Sequence, residues 1–251
     1  RNPPPPNAPR LLCILGDLEN DAKHYERAWE VSNRRYARAQ RSLGELHLRN
    51  QDWQAAAEAY QKAVAVNRLS PEVWSRLGDI YLRLGQFPDA AQSFQRAISS
   101  SNGEAGGEDA RTWSNMGTAL LSWYQAVVKE GKVLRAQGKP AEDGEDTAKK
   151  TDEELEKEFP ASSRASDLNK SAQSLLQDAL GAFKRGATTA HSNWRIWDNV
   201  ITLAASLKPT PAFDDVILAT SNVLRIRKTE DDLDTEILSL NSELVAYDET
   251  L

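Results

Sequence analysis

The sequence predicts an all-α array of antiparallel helix pairs, and three observations carry that prediction. The first is internal repetition at a period of 34: Leu43, Gly44, Ala56, Tyr60 and Ala63 recur without a gap as Leu77, Gly78, Ala90, Phe94 and Ala97. The second is the chemistry of the recurring positions. Trp74 and Leu77 face inward on one helix, Gly78 lets a second helix come close, and the small Ala90 and Ala97 flank Phe94 on that second helix. The third is that the pattern resumes after an interruption. Trp113, Met116 and Gly117 open a further unit, its Ala179 and Phe183 follow displaced by 50 residues, and Trp197 then returns in phase.

Taken in order, residues 1–10 form a proline-rich lead-in, and opening at Arg1 into Pro3 to Pro6 reads as a segment of a longer protein. Residues 11–36, with Tyr25, Ala28 and Trp29, predict a degenerate helix pair. Full units are predicted over 37–70 and 71–104. A third, 110–193, is split by an acidic insertion at about 131–170, where Glu, Lys, Gly, Ala and Ser with Pro140 and Pro160 predict a mobile excursion or a partner-specific arm. Within it, Ala126 to Gln137 reads as an extension of the preceding helix and Thr151 to Glu158 as a capped turn. A divergent pair is predicted over 194–228, its turn punctuated by Lys208, Pro209, Thr210 and Pro211. Residues 230–251 predict an acidic helix, apolar at Leu233, Ile237, Leu240 and Leu244, that caps the array.

Composition narrows the function classes. No apolar run approaches the roughly 20 residues that cross a bilayer, so no membrane role is expected. The net charge of −6 is unevenly spread, with −6 between Glu142 and Glu158 and −8 between Glu230 and Leu251, so the remaining chain is basic. Cys13, the single cysteine, lies in the apolar run Leu11 to Leu15 and reads as a buried small side chain in a reducing compartment. His24, His47 and His191 fall in different units without metal spacing. Gly103, Gly106 and Gly107 lack the Lys-Ser or Lys-Thr of a phosphate loop. The expectation is therefore no enzyme, no metal and no cofactor. Nucleic acid fits poorly, because the tryptophans take core positions and the total charge is acidic, and no small-molecule ligand is expected.

The 34-residue signature resembles the tetratricopeptide repeat (TPR), which implies a right-handed superhelical solenoid that binds protein or peptide segments along a concave groove. Mapped onto this chain, that family geometry places Arg38, Arg41, Glu45, Arg76, Asp79, Arg83, Arg111, Asn115, Arg195 and Asn199 on the groove. Guanidinium forks suit carboxylates, so a partner with an acidic segment is expected. Internal pairing of Arg41, Arg76 and Arg83 with Glu45 and Asp79 is the open alternative. A second alternative is an adaptor for the acidic C-terminal tail of heat-shock chaperones. The five places of that family's clamp carry Arg41, Glu45, Arg76, Arg111 and Asn115 here, which keeps basic groups at the first and fourth but loses both asparagines from their usual places.

One stretch is more specific. Residues Asp21 to Leu48, followed by Arg49, Asn50 and Gln51, together with Trp194 to Asn199, resemble the C-terminal half of the tetratricopeptide repeat protein 27 family, whose fungal members are called essential for maintenance of the cell wall. The resemblance implies a non-catalytic scaffold or co-chaperone of the cytoplasm and the nucleus, tied to assembly of large complexes such as the U5 spliceosomal particle and to fungal cell-wall integrity. The regulatory repeat arm of an enzyme encoded elsewhere in a longer chain stays open beside it.

Overall fold

The computed structural model describes residues 5–101, 106–137, 160–207 and 211–227. Among them are ten helices: α1 (Ala8–Glu19), α2 (Ala22–Val31), α3 (Ala37–Arg49), α4 (Trp53–Val66), α5 (Pro71–Arg83), α6 (Phe87–Ser100), α7 (Gly106–Gln137), α8 (Pro160–Thr189), α9 (Trp194–Ser206) and α10 (Phe213–Ile226). Helices pack mainly on their neighbours in sequence, α1 on α2 through α5 on α6, and α8 on α9 on α10. The chain forms two compact units, 1–116 and 117–251.

Local chemistry sets the boundaries. The Asp21 and Asp52 carboxylates accept from the backbone N–H groups of Lys23 and Ala55, at 3.0 and 3.1 Å, and cap α2 and α4. Pro71 and Pro88 stand in the first turns of α5 and α6, where a missing N–H costs nothing. The turn leaving the first helix of a pair is also repeated. Asp52 N–H donates to the His47 carbonyl and Gln86 N–H to the Tyr81 carbonyl, each at 2.9 Å, and the residue before each donor is left-handed, Gln51 at φ 61° and Gly85 at φ 72°.

Two expected boundaries move. Helix α1 takes in Ala8, Pro9 and Arg10, which the sequence assigns to the lead-in, because Pro9 in the first turn is compatible with helix. The insertion expected at about 131–170 is helical at both ends: α7 continues to Gln137, as the reading of Ala126 to Gln137 expects, and α8 begins at Pro160, where an excursion was expected. The expected turn at Thr151 to Glu158 and the capping helix over 230–251 lie outside the described residues.

Packing depends on one recurring contact, a glycine on the first helix of a pair against an aromatic ring on the second. A Cβ built on Gly44 would come within 2.5 Å of the Tyr60 ring, on Gly78 within 2.7 Å of Phe94, and on Gly117 within 2.7 Å of Phe183. Even the short first pair has it, with Gly16 against Tyr25 at 2.7 Å. Tyr60, Phe94 and Phe183 are buried, with small buried neighbours at Ala56 and Ala63, Ala90 and Ala97, and Ala179. A tryptophan steadies the start of two units. The Trp74 indole N–H donates to the Arg68 carbonyl at 2.8 Å and that of Trp197 to the His191 carbonyl at 3.2 Å. Cys13 is fully buried in the core of the first pairs with Tyr25, Ala28 and Leu43, and burial pushes its thiol up to about 11, which keeps it protonated and inert.

Two glycine substitutions separate this contact from helix propensity. Gly78→Ala forces the Phe94 ring to move, at about 1–3 kcal/mol, against a helix-propensity gain of about 1 kcal/mol, so a net loss of up to about 2 kcal/mol is expected. Gly181, also helical, has nothing within 4 Å of a built Cβ, and Gly181→Ala is expected to stabilise by about 0.5–1 kcal/mol. Urea unfolding of both variants checks the pair; equal shifts of the same sign would contradict the assigned role of the contact.

Candidate functional site

In the first unit, helices α3 and α5 and the first turns of α7 border a depression of about 410 Å³. It brings together five of the ten sequence-derived groove residues, Arg41, Glu45, Arg76, Asp79 and Arg111, with Glu72 and Tyr60 beside them. Asn115 joins through a hydrogen bond from its Nδ2 to Asp79 Oδ1 at 3.0 Å, and Arg111 Nη2 stands 3.6 Å from Asp79 Oδ2. The other four stand elsewhere. Arg38 faces Asp17 at 3.4 Å across two helix pairs, and the Arg83 guanidinium lies 4.6 Å from the centre of the Trp53 ring, so its charge is spent on α4. Arg195 and Asn199 are exposed in the second unit, where Arg195 and Arg227 flank the Trp194 ring at 5.4 and 4.2 Å.

Of the internal pairs that the sequence left open, Arg41 with Glu45 is the one present among the described residues, and it is long. Arg41 Nε is 4.0 Å from Glu45, too long for a hydrogen bond, and Arg76 has neither ion pair nor hydrogen bond among the described residues. Asp79 is served from the next helix by Arg111 and Asn115. Burial still holds the Asp79 carboxyl above its ordinary 3.8, outweighing the favourable pull of Arg111, Arg76 and Arg83 and the bond from Asn115.

A register position explains these differences. The residue after each packing glycine is Asp17, Glu45, Asp79 and Thr118 in successive pairs. Asp17 accepts the Tyr25 hydroxyl at 2.8 Å. Glu45 holds the equivalent place in the second pair, but it is turned to solvent, and the buried Tyr60 hydroxyl has no hydrogen-bond partner within the protein. Burial pushes that hydroxyl up to about 12. Tyr60 is the site residue that sequence reasoning assigned only to packing. The signal was a hydroxyl at a position filled by phenylalanine in the units of Phe94 and Phe183.

The fold and its repeated contact are those of an all-α array of TPR helix pairs. The tetratricopeptide-repeat family profile matches residues 22–67 and 41–105. Over 67 residues the chain is 45% identical to the tetratricopeptide repeat protein 27 homolog of Dictyostelium discoideum, a stretch covering 27% of this chain and 8% of that protein. It is 25% identical over 217 residues to the TPR repeat-containing protein C19B12.01 of Schizosaccharomyces pombe, covering 86% of this chain and 20% of the relative. The chain thus spans a small part of either relative. Among solved structures, MamA is similar at a TM-score of 0.52 and 12% identity over 91% of this chain and 92% of that one, and the MamA RS-1 ArsTM double mutant at 0.52 and 10% over 94% and 96%. At those identities the likeness speaks for the fold alone. No described helix is long and apolar enough to cross a membrane.

Two measurements probe the site's internal energetics. Tyr60→Phe removes a buried unpaired hydroxyl and keeps the ring on Gly44, so the fold is expected to be unchanged or stabilised by about 1 kcal/mol; a loss of more than that on urea unfolding would mean that the hydroxyl has a structural partner. For Asp79, the folded state keeps its proton longer than the unfolded chain. Its contribution is therefore full below 3.8 and is lost as the pH rises through the raised folded value. Asp79→Asn should flatten that part of the melting-temperature profile, and an unaltered slope would count against the raised carboxyl.

Proposed function

We propose that the chain is a non-catalytic protein–protein interaction scaffold whose first unit holds a client segment in the depression lined by Arg41, Arg76 and Arg111. The observation that carries this reading is the state of Arg76. A guanidinium that bordering carboxylates leave without hydrogen bond or ion pair is a preformed donor for an incoming carboxylate or carbonyl. The repeat fold supports it, because TPR arrays bind protein and peptide segments.

The arrangement around Asp79 counts against the chaperone-tail reading. Asp79 engages Arg111 and Asn115, the fourth and fifth clamp places, while Glu45 stands at the second. A tail rich in acids would also meet Glu72. The identity of 45% over 67 residues supports placing the chain with the tetratricopeptide repeat protein 27 family. On that reading its clients are subunits of large assemblies such as the U5 spliceosomal particle, with a bearing on cell-wall integrity in fungi, and it works in the cytoplasm and the nucleus. The regulatory repeat arm of an enzyme would be told apart by the full-length sequence.

Affinity capture from lysate with the whole chain, and with the Arg38→Glu, Arg41→Glu, Arg76→Glu, Arg111→Glu variant, tests the groove. Loss of a defined set of partners in the variant, with unchanged circular dichroism, is expected. Identical partner lists would rule the groove out.

A further inference from the structure

A second depression of the first unit, of about 420 Å³, is bordered by α2, the turn that follows it, α3 and α4, and by none of the residues that the repeat register places on the groove. Gln40 of α3 lines it and is 3% exposed. The Gln40 side-chain amide makes no hydrogen bond among the described residues, and its Oε1 is buried. A buried amide without partners is costly, and an apolar side chain of similar length would remove that cost. Gln40 is therefore a group kept for a ligand.

Trp29 of α2 points to the ligand's charge. Trp53, Trp74 and Trp194 each carry an arginine guanidinium over the ring, at 4.6, 4.8 and 4.2 Å. Trp29 is half-buried against the core of the first pairs and lines the depression, yet it carries no cation among the described residues. Glu26 and Glu30 share that arc of α2 and line the depression with it. Both are exposed, and neither has an ion pair or a hydrogen bond among the described residues.

We propose that this depression takes the side-chain ammonium of a lysine on a partner protein, held by Gln40 Oε1 and the Glu26 and Glu30 carboxylates over the Trp29 ring. Three acceptors meet a group with three donors and no acceptor. The aromatic face attracts a cation and repels a carboxylate. Neither end of the Gln40 amide is engaged, so a turn about its terminal bond presents Oε1 as the ammonium enters. The aliphatic stem of the lysine then lies on Leu43, which also lines the depression. A compact ammonium gathers its donors at one point, which matches this set better than the wide fork of a guanidinium. Arg34 and Lys62 stand on the same rim, exposed and without ion pairs among the described residues, so the chain's own cations leave the place open. Their charges weaken the attraction for any further cation, which favours a single lysine over a basic cluster. The site goes beyond the groove reading above and does not depend on Arg76.

Nuclear magnetic resonance titration of the isotope-labelled full chain tests it, with three capped tripeptides that carry lysine, norleucine or arginine between two glycines. The lysine peptide is expected to shift the Gln40 side-chain amide and the Trp29 indole N–H, and the norleucine peptide to shift neither. Lysine-peptide binding is expected to weaken about ten-fold in Glu30→Gln and in Gln40→Met, and to tighten in Lys62→Ala, where a competing charge is removed. Unchanged circular dichroism establishes that each variant is folded. Absence of these shifts in the wild-type chain, equal shifts with norleucine, or an affinity indifferent to Glu30→Gln would overturn the site. A tighter response to the arginine peptide would overturn the assignment to lysine.

Discussion

Every helix pair for which the first glycine and the second aromatic are described is closed by the same contact, a bare Cα on one helix seated on an aromatic ring of the other. The geometry demands glycine, because a built Cβ at Gly16, Gly44, Gly78 or Gly117 falls 2.5–2.7 Å from ring atoms. Close approach then brings the alanine-rich faces of α4 and α6 against α3 and α5 and buries Tyr60 and Phe94. What varies between pairs is sequence spacing. Tyr25 follows Gly16 by 9 residues, Tyr60 follows Gly44 by 16, and Phe183 follows Gly117 by 66. The contact specifies the pair, and the chain between its two halves is free to differ.

The candidate site follows from this contact. Once the glycine is fixed, the next residue on the first helix is carried to the edge of the pair, where an acid meets whatever the neighbouring helix offers. Asp17 meets a tyrosine of its own pair, and Asp79 meets Arg111 and Asn115 of the following helix. Glu45 meets neither, which leaves the Tyr60 hydroxyl, Arg41 and Arg76 facing one depression. One register position thus serves either as internal glue or, where its acid turns away, as an edge of the first-unit depression.

Fold class was legible because period and packing are the same fact: a residue type needed every 34 residues for a contact leaves a periodic trace in the sequence. That five of the residues placed by that register border one depression follows from the same period. Arg38 and Arg83 show its limit, since long side chains choose among neighbours that periodicity does not specify, here the Asp17 carboxylate and the Trp53 ring. Tyr60 was hidden for a different reason. Its ring answers the packing pattern fully, so its one trace in the sequence is a hydroxyl where Phe94 and Phe183 have none, and the burial of that unpaired polar atom gives the trace its meaning. The extension of α7 to Gln137 was legible in the sequence, whereas the helical turns at 160–170 were hidden by a composition rich in polar residues, glycine and serine, which reads as excursion.

The claim that one glycine–ring contact closes these four pairs is tested most directly where the sequence spacing is longest, between α7 and α8. A double-mutant cycle on Gly117→Ala and Phe183→Ala, read by urea unfolding, isolates it. If the ring sits on the glycine, Gly117→Ala is costly in the wild-type background and neutral or stabilising once the ring is gone, with a coupling above about 1 kcal/mol. Additive effects, with the same cost for Gly117→Ala in both backgrounds, would contradict it.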